Sequence, residues 1–211
     1  MDTLPRLILG PADVAEGAAW LAAADPRLAP ALEAHAPLPL RRRGDGFGAL
    51  LAAIVSQQVS VAAARAILGR LEAAGLTAPE AVIAATEDDL RTAGLSRQKV
   101  RYAKALAEAR IDYDALRAAP TAQVVATLTA VPGIGVWTAE IYAMFSLGHA
   151  DVFAPGDLAL QEGARLLLDL PERPSARALR EMSLLWSPWR SVAARLLWDY
   201  YAAARRREGT L

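Results

Sequence analysis

The stretch Leu128-Thr129-Ala130-Val131-Pro132-Gly133-Ile134-Gly135-Val136-Trp137-Thr138-Ala139 decides how the chain is read. Two glycines flanking an apolar residue let the backbone reverse tightly, so that Ile134 plugs a core. The N–H groups of Gly133, Gly135 and the next helix's first turn, Val136 and Thr138 among them, then point outward as a seat for an anion. The same turn can aim the carbonyl oxygens of Thr129, Val131 and Ile134 at a monovalent cation such as Na+ or K+. Taken alone, the Pro-Gly-Ile-Gly string reads first as an ordinary connection between two helices.

Helical patterns extend outward from this turn in both directions. Upstream they cover 12–24, 27–35, 47–57, 61–74, 79–85, 87–93, 96–110 and 121–129, with Thr86 and Ser96 as cap residues. Downstream they cover 136–147, 157–168, 176–186 and a last long run from Trp189 to about Arg207. Alanine and leucine dominate and alternating apolar-polar runs are hard to find, so the fold class is all-α. A proline-rich link and the run Arg41, Arg42, Arg43 near the N-terminus read as a crossing between subdomains.

Composition narrows the chemistry. The 211 residues include 54% apolar side chains, ample for a sizeable core. Basic and acidic residues balance at 23 each, a formal net charge of +0, so any affinity for nucleic acid must rest on local features. Nearly all the positive charge is arginine, the only lysines being Lys99 and Lys104, whose context suggests a solvated or backbone-facing surface. The Arg205, Arg206, Arg207 tail reads as a solvated helix end. With Cys 0 there is no disulfide, no thiolate zinc site and no cysteine-bound iron-sulfur cluster. His35 and His149 alone do not make a transition-metal site. No signal peptide and no membrane-length apolar run are visible, which gives the expectation of a cytoplasmic monomer without membrane contact.

A second segment, Asp151-Val152-Phe153-Ala154-Pro155-Gly156-Asp157-Leu158-Ala159-Leu160-Gln161, places a carboxylate at a helix start. In isolation Asp157 reads as an N-cap. An anion at the positive end of a helix dipole is also what a developing sugar oxocarbenium ion needs beside it, and the two roles are compatible.

Together the two segments resemble the helix-hairpin-helix (HhH-GPD) DNA glycosylases that carry a Gly/Pro-rich loop ending in aspartate. Ile54-Val55-Ser56-Gln57-Gln58-Val59-Ser60, Leu95-Ser96-Arg97-Gln98-Lys99 and Trp186-Ser187-Pro188-Trp189-Arg190-Ser191 resemble the 3-methyladenine DNA glycosylase II branch, in the family's order over roughly 40 to 205. The resemblance implies two helical subdomains with an active-site cleft between them. One would be a helical barrel of about 46–130, the other residues 1–45 with 131–211, including the hairpin 128–139.

It further implies Asp157 as catalytic carboxylate and Trp137 and Trp198 as base-pocket aromatics. Ile141 and Leu158 stand at pocket positions that are aromatic in the best-known member, and Gln58 falls where the family places a wedge in the duplex. Trp186 and Trp189 read as core. The first 44 residues are too few for the extra N-terminal sheet domain of longer members. The residue two after the hairpin's second glycine, lysine in bifunctional relatives, is Trp137, so no Schiff base can form there.

The implied activity is a monofunctional DNA-repair glycosylase that flips alkylated purines, 3-methyladenine and 7-methylguanine, out of double-stranded DNA and hydrolyses their N-glycosidic bond without a required cofactor. The base already carries positive charge, so it leaves without a general acid. Two rivals remain: a non-enzymatic DNA-binding module, which has no need of Asp157 in register, and a glycosylase for another damaged base such as hypoxanthine.

Overall fold

The computed structural model describes residues 5–208. Among them the chain runs through α1 (Pro11–Ala24), α2 (Ala29–Ala34), α3 (Phe47–Ser56), α4 (Val61–Ala73), α5 (Pro79–Ala84), α6 (Glu87–Thr92), α7 (Arg97–Glu108), α8 (Tyr113–Ala118), α9 (Thr121–Thr129), α10 (Val136–Tyr142), α11 (Leu158–Leu167), α12 (Ala176–Met182) and α13 (Arg190–Glu208). No strand forms among the described residues; Leu7 and His149 make an isolated bridge. The class is all-α.

Local chemistry sets many of the boundaries. Ser60, Ser96 and Ser175 accept the backbone N–H three residues on, and Thr86 and Asp89 cap each other across the first turn of α6. Asp112 caps α8 in the same way. That helix, six residues long, has no counterpart in the sequence reading. The expected helix 136–147 is α-helical only to Tyr142, and Ala143–Leu147 form a π turn. The expected helix 176–186 likewise tightens to a 3₁₀ turn over Ser183–Trp186.

The chain separates into two compact units, one formed by the described chain up to Arg42 and from Ala143 on, the other by Arg43–Tyr142. The hairpin 128–139 therefore belongs to the middle unit, whereas the sequence reading groups it with the terminal segments. The cause is physical: Val131 and Ile134, 5% and 4% exposed, are buried in the middle unit, and α10 packs on α9.

In the middle unit, α7 is the central helix, packed by α3 and α5. The two ends of this unit are clasped. The Tyr142 hydroxyl donates to Asp45 and accepts the Gly46 N–H at 3.0 Å, while Arg117 pairs with both Asp45 and Asp114. Burial and the Asp45 carboxylate push the Tyr142 phenol well above its ordinary range, so it stays a donor.

In the other unit, α11 packs along α13. The helices touch backbone to backbone at Gly163, where a Cβ would lie 2.5 Å from the Leu197 carbonyl oxygen. Trp186 and Trp189 are buried, at 0% and 2% exposure, in keeping with their reading as core. The Trp186 indole donates to the buried Asp25 at 3.0 Å, and Asp25 takes a two-point ion pair from Arg27 at 2.7 and 2.8 Å. Arg27's hydrogen bonds, with a smaller contribution from Trp186, hold the Asp25 carboxyl below the usual carboxylate range.

Asp25→Ala should cost about 1–3 kcal/mol in urea unfolding, because the buried Trp186 N–H loses its acceptor. Asp25→Asn tests the charge. Since the folded carboxyl titrates below its unfolded value, its contribution is present above about pH 4 and is lost as pH falls through the lowered folded value. The stability gap between wild type and Asp25→Asn should thus be flat from pH 7 to about 5 and narrow on further acidification.

Candidate active site and hairpin

The hairpin is held by groups that converge on one turn. Ile134 N–H closes it on the Val131 carbonyl at 3.1 Å, and Gln57 Nε2 donates to the Gly133 carbonyl at 2.9 Å. Gly133 sits at φ +93°, and a Cβ there would lie 2.3 Å from the Tyr102 ring, so the turn lies flat on α7. Lys99 Nζ donates to the carbonyls of Val55 and Gln57, both at 2.7 Å, which fixes the end of α3 beside the hairpin. In α10 the first helical bond is Ala139 N–H to Gly135, so the amides before it are the donors that a helix start leaves outside its own ladder.

Gln57 and Gln58 divide their tasks. Gln57 is half-buried and turned toward the hairpin, whereas Gln58 is exposed in the left-handed region at φ +56°. Val136 and Trp137 are 51% and 49% exposed on the first turn of α10, and Gly135 is exposed with open space at its Cβ position. Thr138 and Ile141, at 8% and 9% exposure, face inward. Any outward role of Thr138 therefore lies with its backbone.

In the other unit Asp157 stands at the N-cap of α11. Its Oδ1 accepts the N–H groups of Ala159 and Leu160 at 2.9 and 3.1 Å, and the Trp198 indole N–H at 3.2 Å. Two of the residues singled out from the sequence, Asp157 and Trp198, are thereby bonded directly, and Leu158 follows with 63% exposure. The close crossing at Gly163 brings α13 near enough to α11 for this bond. The Trp198 ring in turn lies 5.6 Å from Phe145 in the π turn.

The loop that delivers Asp157 is tied down from the start of α13. Arg190 grips the Asp151 carboxylate at 2.6 and 3.0 Å, and Ser187 adds a bond at 2.8 Å. Ser191 Oγ donates to the carbonyls of His149 and Val152 at 2.5 and 3.1 Å, and the buried Gln161 donates to Pro155 at 2.8 Å. The segment Trp186–Ser191 thus anchors the loop 149–157, a role its sequence order alone did not disclose. Burial pushes the imidazole of His149 down to about 4, so it is neutral at pH 7. Among the described residues no cluster of three or more His, Cys, Asp or Glu side chains could hold a metal ion, and no helix is long and apolar enough to cross a membrane.

The chain is similar to proteins already known. Residues 51–190 match the model of the HhH-GPD superfamily base excision DNA repair protein. DNA-3-methyladenine glycosylase 1 of Schizosaccharomyces pombe is 31% identical over 158 residues, 71% of this chain and 69% of the relative. A crystal structure of DNA-3-methyladenine glycosidase from Bacillus halodurans superposes with a TM-score of 0.80 at 36% identity, covering 88% of this chain and 89% of that one. The S. pombe 3-methyladenine DNA glycosylase Mag1 in complex with abasic DNA gives 0.73 at 28% identity, over 87% and 95% of the two chains.

The two hairpin glycines should respond differently to a methyl group. Gly133→Ala meets both the Tyr102 ring and a left-handed backbone, and should cost about 1–3 kcal/mol in urea unfolding. Gly135→Ala, with nothing near its Cβ position, should stay within about 0.5 kcal/mol of wild type.

Proposed function

Because the chain belongs to the HhH-GPD superfamily of base excision DNA repair proteins, we propose that it is a DNA glycosylase that removes alkylated purines from double-stranded DNA and leaves an intact abasic site. The observation that carries the reading is Asp157, a carboxylate at a helix start whose Oδ1 is fixed by three N–H donors. A carboxylate held this way cannot swing with the substrate. It offers a fixed negative charge to a sugar that becomes cationic as its base departs.

In this reading the hairpin binds a backbone phosphate through the amides at the start of α10, which positions the duplex without reading its sequence. Carbonyl oxygens of Thr129, Val131 and Ile134 would hold a Na+ or K+ ion that adds positive charge facing the phosphate; the Val131 carbonyl keeps a lone pair beyond its bond from Ile134. Gln58, exposed and left-handed, would fill the gap left by the flipped nucleotide. The flipped 3-methyladenine or 7-methylguanine is cationic, and the electron-rich indole of Trp198, bonded to Asp157, suits it, at roughly 0.5–2 kcal/mol.

The chemistry then needs little more. The N-glycosidic bond breaks, and its electron pair goes to the base and cancels the positive charge there. Asp157 stabilises the oxocarbenium-like sugar. Water adds to the anomeric carbon and loses a proton, giving the free base and an abasic site.

The direct experiment is release of bases from methylated duplex DNA by wild type and by Asp157→Asn. Asparagine caps a helix about as well as aspartate, so the variant should unfold within about 2 °C of wild type. Base release should fall by about 10³-fold or more, while affinity for an abasic-site analogue is kept. Near wild-type release by the variant would remove the assignment.

Reaction type has its own test. Trp137 stands where bifunctional relatives carry lysine. Burial lowers the Lys99 amine, the direction that favours a nucleophile, but two carbonyls hold it, and Lys104 is bound to Ala85 at 2.7 Å. Borohydride should therefore trap no protein–DNA adduct, and strands should break only after alkali. A trapped complex, lost on mutating either lysine, would overturn the one-carboxylate mechanism.

A further inference from the structure

Arg195 is the most deeply buried charge among the described residues. It lies on α13 one turn before Trp198, is 0% exposed, and pairs with no described carboxylate. Its guanidinium is held by carbonyls alone, donating to Leu40 at 3.2 and 3.1 Å and to Ser191 at 2.8 Å. Burial, with repulsion from Arg41 and Arg42, pushes it down to about 10, so it remains a cation at neutral pH. An unpaired buried charge is expensive, and an apolar side chain of similar length would fill the same space at lower cost. The position of this cation calls for a reason beyond packing.

The reason lies in what the guanidinium faces. Its central carbon is 4.9 Å from the centroid of the Phe145 ring, a cation–π contact between two buried side chains. Phe145 belongs to the π turn, where the extra residue per turn loosens the helical ladder and leaves a side chain to be positioned by its neighbours. Phe145 also neighbours Trp198, 5.6 Å away and inclined at 37°. Trp198 ends the series with its N–H on Asp157 Oδ1 at 3.2 Å. Guanidinium, phenyl, indole and carboxylate are thus in consecutive contact, within one compact unit.

We infer that Arg195 is a positioning residue for the reaction, fixing Phe145 and through it the Trp198 indole that aims the Asp157 carboxylate. The inference rests on the glycosylase reading only for its consequence in rate; the alignment of Trp198 on Asp157 stands independently of the substrate. Arg195 is buried and does not reach the surface. Its removal changes the orientation of the carboxylate and leaves the grip on DNA alone, so it acts on the chemical step.

The test uses the whole chain and two independent readouts. Arg195→Met keeps most of the volume and removes the cation; Arg195→Lys restores the charge. Phe145→Leu breaks the contact while leaving Arg195 its carbonyl bonds, and serves if Arg195→Met fails to fold. In ¹⁵N–¹H spectra the Trp198 indole resonance, assigned by its loss in Trp198→Phe, should move in Arg195→Met and Phe145→Leu toward its position in Asp157→Ala. Single-turnover release of 7-methylguanine should fall about 10-fold in both, with affinity for abasic-site DNA unchanged and partial recovery in Arg195→Lys. Arg195→Met added to Trp198→Phe should cost nothing further, because both act through one bond.

A folded Arg195→Met protein with an unmoved Trp198 resonance would overturn the inference. Losses that multiply in the double variant would do the same. A moved resonance in a protein whose wild type releases no base would sustain the positioning role and remove the glycosylase reading.

Discussion

Everything at the candidate site depends on a single oxygen atom, Asp157 Oδ1. Two backbone amides of α11 and the indole of α13 donate to it. The first two bonds are those of any helix cap; the third comes from a helix that reaches it only because Gly163 admits the Leu197 backbone at contact distance. A side chain at 163 would separate α11 from α13 and turn the three-donor arrangement back into an ordinary cap. The helix crossing, the loop anchored by Arg190, Ser187 and Ser191, and the buried Gln161 all hold one carboxylate in place.

The hairpin in the other unit achieves its rigidity by different means. Its turn is closed by one backbone bond, pressed against the Tyr102 ring by the absence of a side chain at Gly133, and pinned by Gln57. No ion pair takes part in these contacts. Neutral hydrogen bonds and close packing keep their strength as salt rises. The frame of the hairpin should therefore be indifferent to ionic strength.

Much of this was legible in the chain. Pro132, Gly133 and Gly135 marked the turn, Ser96 and Thr86 marked helix starts, and the Pro-Gly-Asp order at 155–157 marked a carboxylate at a helix start, all because turns and caps are written in adjacent residues. What escaped reading depends on residues distant in sequence. In the pair Gln57-Gln58 nothing local says which side chain turns inward, and the answer comes from the Gly133 carbonyl. The hairpin's allegiance to the middle unit is decided by the burial of Ile134 and Val131 rather than by any linker. Nothing in the sequence singles out Arg195, since a buried cation facing Phe145 leaves no periodic mark. The π turn that carries Phe145 adds a residue to one turn, which a 3.6-residue pattern cannot register.

The clasp between Asp45 and Tyr142 bears on how the chain assembles. The middle unit, Arg43–Tyr142, interrupts the other in sequence, so α1 and α2 must find α13 across an intervening segment. Were that segment an unstructured loop of about 100 residues, closing it would cost on the order of 4 kcal/mol in chain entropy. Once the middle unit has folded, Tyr142 bonds Asp45 and Gly46, and the points where the chain enters and leaves it become neighbours. The long loop then behaves like a short turn. An inserted unit that folded first would let the interrupted one close around ends already brought together.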